Sequence, residues 1–234
     1  MGVIKFEKGD WMEAKITYFE KGGEDNTDVT FGIAKKRAEE LGIKTILIAS
    51  TRGIAAAKAA TFFKGYKIVA VGHITGYREP NKNEFTDENK AIVEKAGGAV
   101  VFAADPMTGI TRRATPPPTP GVPPVMPTGS ILEIPEIVAG VLRMFCAGIK
   151  VVIEIAGPAA DAGLIRTDED IIAIAGSNRG ADTAVVMRAA KTRDMLRMRI
   201  KEILCKPLAP AGPPAGGMPG AGAGAGAPGA HRPA

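Results

Sequence analysis

Three short segments carry residue types that hold anions or move protons. The first is Ser50-Thr51-Arg52-Gly53-Ile54-Ala55. Two hydroxyls, an arginine and a glycine stand directly ahead of an Ala-rich run. If that run is a helix, its first N–H groups and its dipole favour a negative charge. Ser50 or Thr51 can add a hydroxyl donor, and Arg52 can grip a phosphate with two parallel N–H bonds. The same residues also suit an ordinary helix cap followed by a surface arginine.

The second segment is Gly72-His73-Ile74-Thr75-Gly76-Tyr77. His73 is a candidate acid/base group, because an unperturbed imidazole changes charge near neutral pH. A ligand contact through His73 and Thr75, or a structural histidine, fits equally well. The third is Gly176-Ser177-Asn178-Arg179-Gly180-Ala181-Asp182-Thr183. Gly176 and Gly180 allow close backbone approach to a ligand, and Arg179, Asp182 and Thr183 supply polar groups. The segment lacks the Gly-Lys-Ser/Thr ending of a phosphate-binding Walker loop and is no dinucleotide fingerprint. A glycine-rich hairpin or crossover is the alternative. Asp161 lies among small residues just past the run Lys150–Ile155, which holds Glu154. A carboxylate at a strand end is a candidate site residue, and a helix cap or salt bridge explains it as well. No Ser/His/Asp order specifies a hydrolase.

These segments need elements to hold them. Apolar residues at Phe31, Ala34, Ala38 and Leu41 predict a helix over 27–41, stopped by Gly42. The runs 45–49, 67–72 and 99–102 read as buried strands. Helices are expected at 54–63, at 87–96 with Thr86 as N-cap, and at 135–145. Further strands are expected at 150–155, 171–175 and 183–187. Residues 196–201 alternate apolar and basic side chains, the pattern of a strand at or near a sheet edge. Strands apolar on both faces, alternating with helices, imply an α/β fold with a mostly parallel sheet covered on two sides. In such sheets ligands sit at the carboxyl ends of the strands, where the first three segments fall.

The 234 residues are 45% hydrophobic and 24% charged, enough for a full core. Residues 1–206 are expected to form one domain, with the proline-rich 115–129 as a surface excursion. Residues 207–234 are Ala, Gly and Pro with almost no charge, and are expected to be a disordered tail. No run reaches the roughly 18 apolar residues of a membrane span. The mixed charges at the N-terminus do not resemble a secretory signal, so a cytoplasmic location is expected. Cys146 and Cys205 read as buried, reduced thiols. His73 and His231 are the only histidines, and no metal site is expected. A net charge of +5, interleaved with acidic residues, and 5% aromatics argue against nucleic-acid binding. An anionic small molecule explains the excess equally well, and a homo-oligomer is compatible with the composition.

Several stretches together resemble a known family. They are Tyr18-Phe19-Glu20 with Asn26-Thr27, Ile48 to Gly53, Val71-Gly72-His73 with Gly76-Tyr77, Leu142-Arg143, Gly148 to Val151, Glu154-Ile155 and Ala160 to Gly163. Ile174-Ala175-Gly176, Arg179 to Ala184 and Ile200 to Pro207 complete the set. Over roughly residues 16–207 the chain resembles the stand-alone pyruvate kinase C-terminal-domain-like proteins of archaea and bacteria. The runs RGADTA and IKEILCKP are the specific part.

The resemblance implies a three-layer α/β sandwich like the regulatory domain of pyruvate kinase. It also implies no phosphorylation of ADP, since no catalytic-barrel motif occurs. In full-length kinases a Ser/Thr-Gly turn of this kind holds a phosphate of the allosteric sugar bisphosphate. Ser50 to Ile54 match that turn, and Gly176 to Thr183 correspond to a comparable late loop. Some stand-alone members hold a flavin mononucleotide, FMN, so a phosphate-bearing flavin is the leading ligand. The chain departs from the family at 115–129, in its tail from Leu208, and at Asp105 to Gly109, where a histidine-bearing turn is expected. The competing expectations are an enzyme using His73 with Asp161 or Asp182, and a regulatory or nucleic-acid-associated module using Arg197, Arg199 and Lys201.

Overall fold

The computed structural model describes Trp11, residues 13–107 and residues 134–210. The segment 115–129, Thr108-Gly109 and the tail beyond Pro210 lie outside the described residues. Seven strands form one sheet: β1 (Thr17–Lys21), β2 (Thr45–Ala49), β3 (Lys67–His73), β4 (Ala99–Ala103), β5 (Asp170–Ala175), β6 (Thr183–Arg188) and β7 (Arg199–Ala209). Their order is β1-β7-β6-β5-β2-β3-β4. β6 pairs antiparallel with both neighbours, and every other pairing is parallel.

The helices are α1 (Thr27–Leu41), α2 (Ile54–Phe62), α3 (Asp87–Lys95), α4 (Ile134–Phe145) and α5 (Ala147–Asp161). The central strands β2, β3, β5 and β6 bury both faces, as their apolar runs require. Ile46, Ile48, Ile68, Ile172 and Ile174 pack against Phe31 and Ala34 of α1, Ala56 and Ala59 of α2 and Val93 of α3. Leu47, Val69, Ile171, Ala173 and Val185 pack on the other face against Ile149, Val152, Ile155 and Ala159 of α5. The result is a three-layer α/β sandwich with a mostly parallel sheet.

Residues 150–155 are a correction. They lie inside α5, not in a strand. Val151, Val152, Ile153 and Ile155 favour a strand locally, but burial decides the matter. Ile149, Val152, Ile155, Ala156 and Ala159 recur at helical spacing and meet the sheet. Lys150 and Glu154, four apart, form a buried ion pair along the same helix. That pairing was the sequence signal for helix.

Three smaller differences lie at the other side of the sheet. β1 was not anticipated. Leu196 and Arg197 belong to a 3-10 segment, Thr192–Arg197, and β7 starts only at Arg199. β7 does lie near the sheet edge, as expected, with β1 alone outside it. Finally, β7 continues to Ala209, past the expected start of the tail. Its pairing with β6 ends at Cys205, and Pro207 pairs only with β1, opposite Phe19. A proline is tolerated where one flank of the strand carries no ladder.

The connectivity places the site. From β2 the chain steps through α2 to β3 and then β4, moving one way across the sheet. It returns through α5 to β5 on the other side of β2. The chain thus leaves the β5–β2 boundary in opposite directions, the kind of place where open α/β sheets hold ligands at the strand carboxyl ends.

Candidate functional site

The register sets three segments side by side. Ala49 lies opposite Val71 of β3, and Ile48 opposite Ile174 of β5. Ser50 therefore leaves the sheet between Gly72 and Gly176, with neighbouring strands about 4.8 Å apart.

The turn from β2 into α2 has a bare helix start. Gly53 is the N-cap, no side chain caps the helix, and no acidic residue stands in its first turn. Ser50 is buried, and its Oγ accepts only a long bond of 3.4 Å from the Ala56 N–H. Thr51 is half-buried, and Arg52 is exposed. Ile54 is 64% exposed, so the first turn of the helix faces open space. Gly53 adopts φ 84°, and a Cβ there would come within 2.5 Å of Phe85 and 2.6 Å of Asn89. Only glycine fits that conformation and that contact. The Arg52 carbonyl accepts from the Asn89 side chain at 2.9 Å. The turn is rigidly seated, yet of the Ile54, Ala55 and Ala56 N–H groups only the last meets a protein acceptor, the Ser50 hydroxyl. α3 is the opposite case: Thr86 Oγ1 accepts from the Asn89 N–H, and Asp87 and Glu88 fill its first turn.

The late loop, 176–182, is a hairpin connection between antiparallel β5 and β6. It supplies its own anion. Asp182 is 0% exposed. Its Oδ2 accepts the N–H groups of Gly23 at 3.0 Å and Ser177 at 2.9 Å, and its Oδ1 accepts the Thr183 hydroxyl at 2.8 Å. Thr27 Oγ1 accepts from the Ala181 N–H at 3.0 Å and donates to the Glu24 carbonyl at 2.6 Å. Gly180 sits at φ 69°, where a Cβ would strike Glu24 and Thr27. Asn26 donates to the Lys21 carbonyl. Thr27, Gly180, Asp182 and Thr183 thus clamp the end of β1 to the β5–β6 hairpin. Gly176 lies beside Ser50, and Arg179 is exposed on the same rim.

His73 ends β3. Its Nδ1 lies 3.1 Å from Glu84 Oε2, and Arg78 Nε lies 3.0 Å from Glu84 Oε1. Against a carboxylate, Nδ1 carries the proton, which leaves Nε2 as the outward nitrogen. The Tyr77 ring stacks on the imidazole at 4.1 Å between centroids. Thr75 Oγ1 accepts from the Asn83 side chain at 3.3 Å, and Gly76 turns at φ 82° to donate its N–H to the Lys82 carbonyl. This is a half-exposed His–Glu pair at the strand end next to the Ser50 turn.

The model of the family described as pyruvate kinase, alpha/beta domain, matches residues 28–188 of the 234. The chain belongs to that family. The match covers β2 to β6 and all five helices but for the first residue of α1, so the switch point and the three strand-end segments lie inside it.

Within this pyruvate kinase alpha/beta domain, Asp161 stands apart. It is the last residue of α5, whose axis runs about 20 Å from the strand carboxyl ends to their amino ends. There its Oδ1 accepts the Thr192 N–H at 3.1 Å. Its placement beside the other segments depended on reading 150–155 as a strand, and it falls with that reading. Arg199 and Lys201 of β7 are also engaged at that far end. Lys201 and Arg188 both bond Asp170, at 2.6 and 2.7 Å. Arg199 donates to the Leu196 and Met198 carbonyls. Burial raises the Asp170 pKa, but the two cations outweigh it and hold the carboxyl below its usual range. A shallow, largely apolar cavity between the C-terminal ends of α2 and α3, lined by Ala60, Phe63 and Ile92, lies at the same far end. It holds none of these chemical groups.

Cys205 is buried, and burial pushes its thiol up to about 11. Cys146 is only half-buried, at the start of α5. Among the described residues no group of three or more His, Cys, Asp or Glu can hold a metal, and no helix is long and apolar enough to cross a membrane. Sequence reading missed Glu84, Phe85 and Asn89. The Asn83-Glu84-Phe85-Thr86 stretch just ahead of a capped helix was the available signal, but nothing local tied it to His73 or Gly53.

Proposed function

We propose that this pyruvate kinase alpha/beta domain binds a phosphorylated small molecule at the Ser50–Gly53 turn, with FMN or a related nucleotide as the leading ligand. The observation that carries the reading is the bare start of α2 at the topological switch point. Apart from the long Ser50 contact its N–H groups lack a side-chain acceptor, no carboxylate stands in the first turn, and Ile54 leaves the approach open. An anion there gains hydrogen bonds and the helix dipole without displacing a protein group. These residues fit a phosphate: Ser50 and the α2 N–H groups would hold it, and Arg52, with Arg179 on the neighbouring loop, would screen its charge. FMN when bound would supply redox chemistry through its ring; the chain's part is to fix the phosphate. The free thiols suit a reducing, cytoplasmic setting.

Native mass spectrometry of freshly purified protein reads any retained ligand directly. Calorimetry then compares FMN with riboflavin, which lacks the phosphate. Tight FMN binding and much weaker riboflavin binding are expected. A chain silent towards FMN but responsive to other organic phosphates would remove the flavin and keep the phosphate; silence to all would remove both.

A second reading rests on the His73–Glu84 pair. Glu84 contacts the imidazole at Nδ1, and Nε2 would exchange a proton with a ligand held beside it. His73→Ala would then abolish turnover of a phosphorylated substrate with its affinity nearly intact. A fall in affinity instead would make His73 a binding residue.

A further inference from the structure

The tip of the β5–β6 hairpin is Asn178-Arg179, and its neighbours on both sides are pinned. Ser177 is buried, with its N–H held by Asp182 at 2.9 Å. Gly180 packs against Glu24 and Thr27, and the Asp182 N–H returns to the Ala175 carbonyl at 3.1 Å. The loop closes so tightly that a Cβ on Gly176 would come within 2.3 Å of the Gly180 carbonyl oxygen. Between these anchors Asn178 is held at φ 112°. Asparagine tolerates the left-handed well near about 57°, and Asn81 occupies it at 62°. Asn178 lies far outside that well. Glycine would meet the conformation without strain, and the same loop uses glycine at position 180, where φ is 69°. Backbone strain of this kind persists where neighbours over-determine it, and it clusters at ligand sites.

The asparagine side chain gives the fold nothing in return. Asn178 and Arg179 are exposed, and among the described residues no hydrogen bond or ion pair engages either side chain. The register sets their position. Gly176 lies beside Ser50, and two further residues of chain span at most about 7 Å. Gly180 meets Thr27, the first residue of α1, and α1 shares its face of the sheet with α2. The hairpin tip therefore stands on the α2 side of the strand ends. A carboxamide presents one acceptor and two donors in a plane, which matches a ring edge that sets a donor beside an acceptor. A phosphate offers acceptors alone, and a guanidinium suits it better. We propose that Asn178 is a specificity-determining residue, which reads the amide-type edge of the ligand's heteroaromatic ring while the Ser50–Gly53 turn holds the phosphate. The inference rests on the phosphate reading of that turn.

Asn178→Gly separates strain from recognition. The variant should melt roughly 2–6 °C above wild type, because its backbone relaxes. Calorimetry should find its affinity for FMN roughly ten-fold weaker. Its affinity for ribose 5-phosphate, which has a phosphate and hydroxyls but no ring amide, should match wild type. Asn178→Asp keeps the size and the strained backbone but loses the amide donors, so it should lose FMN affinity without gaining stability. Wild-type protein that binds neither probe removes the phosphate reading and this inference with it. Wild type that binds ribose 5-phosphate and refuses FMN keeps the turn and overturns the ring contact. With FMN bound to wild type, three results overturn the inference alone: equal FMN affinity in Asn178→Gly, an equal loss for both probes, or an unchanged melt.

Discussion

Two glycine-bearing loops lie side by side at the carboxyl end of the sheet, and they treat their hydrogen bonds in opposite ways. The Gly176–Thr183 loop carries its own carboxylate, Asp182, which consumes two backbone N–H groups and a hydroxyl within 3.0 Å. The Ser50–Gly53 turn carries no carboxylate and leaves the start of α2 open. Both glycines, Gly53 and Gly180, are required by positive φ and close packing. Glycine content therefore does not separate a binding turn from a structural clamp; the destination of the N–H groups does.

The largest expected effect breaks the clamp. Asp182→Ala leaves buried donors at Gly23 and Ser177 without an acceptor and should cost about 3 kcal/mol. Thermal melting should fall by roughly 6–12 °C. FMN affinity, measured well below the melting point, should hardly change. A melt like wild type would mean that Asp182 is dispensable to the fold and available to a ligand.

Gly53→Ala and Gly180→Ala form the next comparison. Each forces a Cβ into a left-handed conformation and against packed neighbours, at about 2–3 kcal/mol. Calorimetry should find at least a roughly ten-fold loss of phosphate affinity in the first, equivalent to about 1.4 kcal/mol, and little change in the second. Equal losses would erase the distinction between the loops.

One acid-labile contribution to stability comes from Asp170, which lies in neither loop. The folded-state pKa of Asp170 lies below its usual value, because Lys201 and Arg188 favour the carboxylate. That contribution is complete above the unfolded value near 4 and is lost as pH falls through the folded value. Melting curves of Asp170→Asn should lack this acid-labile part while phosphate binding stays as in wild type. A binding defect would connect the far end of the sheet to the site.

The smallest effect is the most discriminating in sign. Ile54→Glu places a carboxylate in the first turn of α2 and should stabilise the chain by about 0.5 kcal/mol through the helix dipole. The same carboxylate occupies the anion position, so phosphate affinity should drop. Stability and affinity moving together would contradict the assignment.

Much of the architecture was legible because the strands 45–49, 67–73 and 171–175 are short apolar runs bounded by turn residues. Thr86 announced α3, and Gly42 closed α1. Residues 150–155 misled because β-branched side chains favour a strand locally, while burial on a helix decides their fate. The proximity of Ser50, His73 and Gly176 followed from strand-end placement alone. What each segment does with its polar atoms did not, because Asp182 meets Gly23 and His73 meets Glu84 across distances that spacing does not encode. Asp161 was misplaced for the same reason that α5 was misread.

The most direct measurement is a titration of inorganic phosphate into isotope-labelled protein, followed by amide resonances. The account predicts that the amides of Ile54, Ala55 and Ala56 shift most, while those of Gly23, Ser177 and Ala181 stay still. Largest shifts in the 176–183 loop, or none at the start of α2, would contradict it.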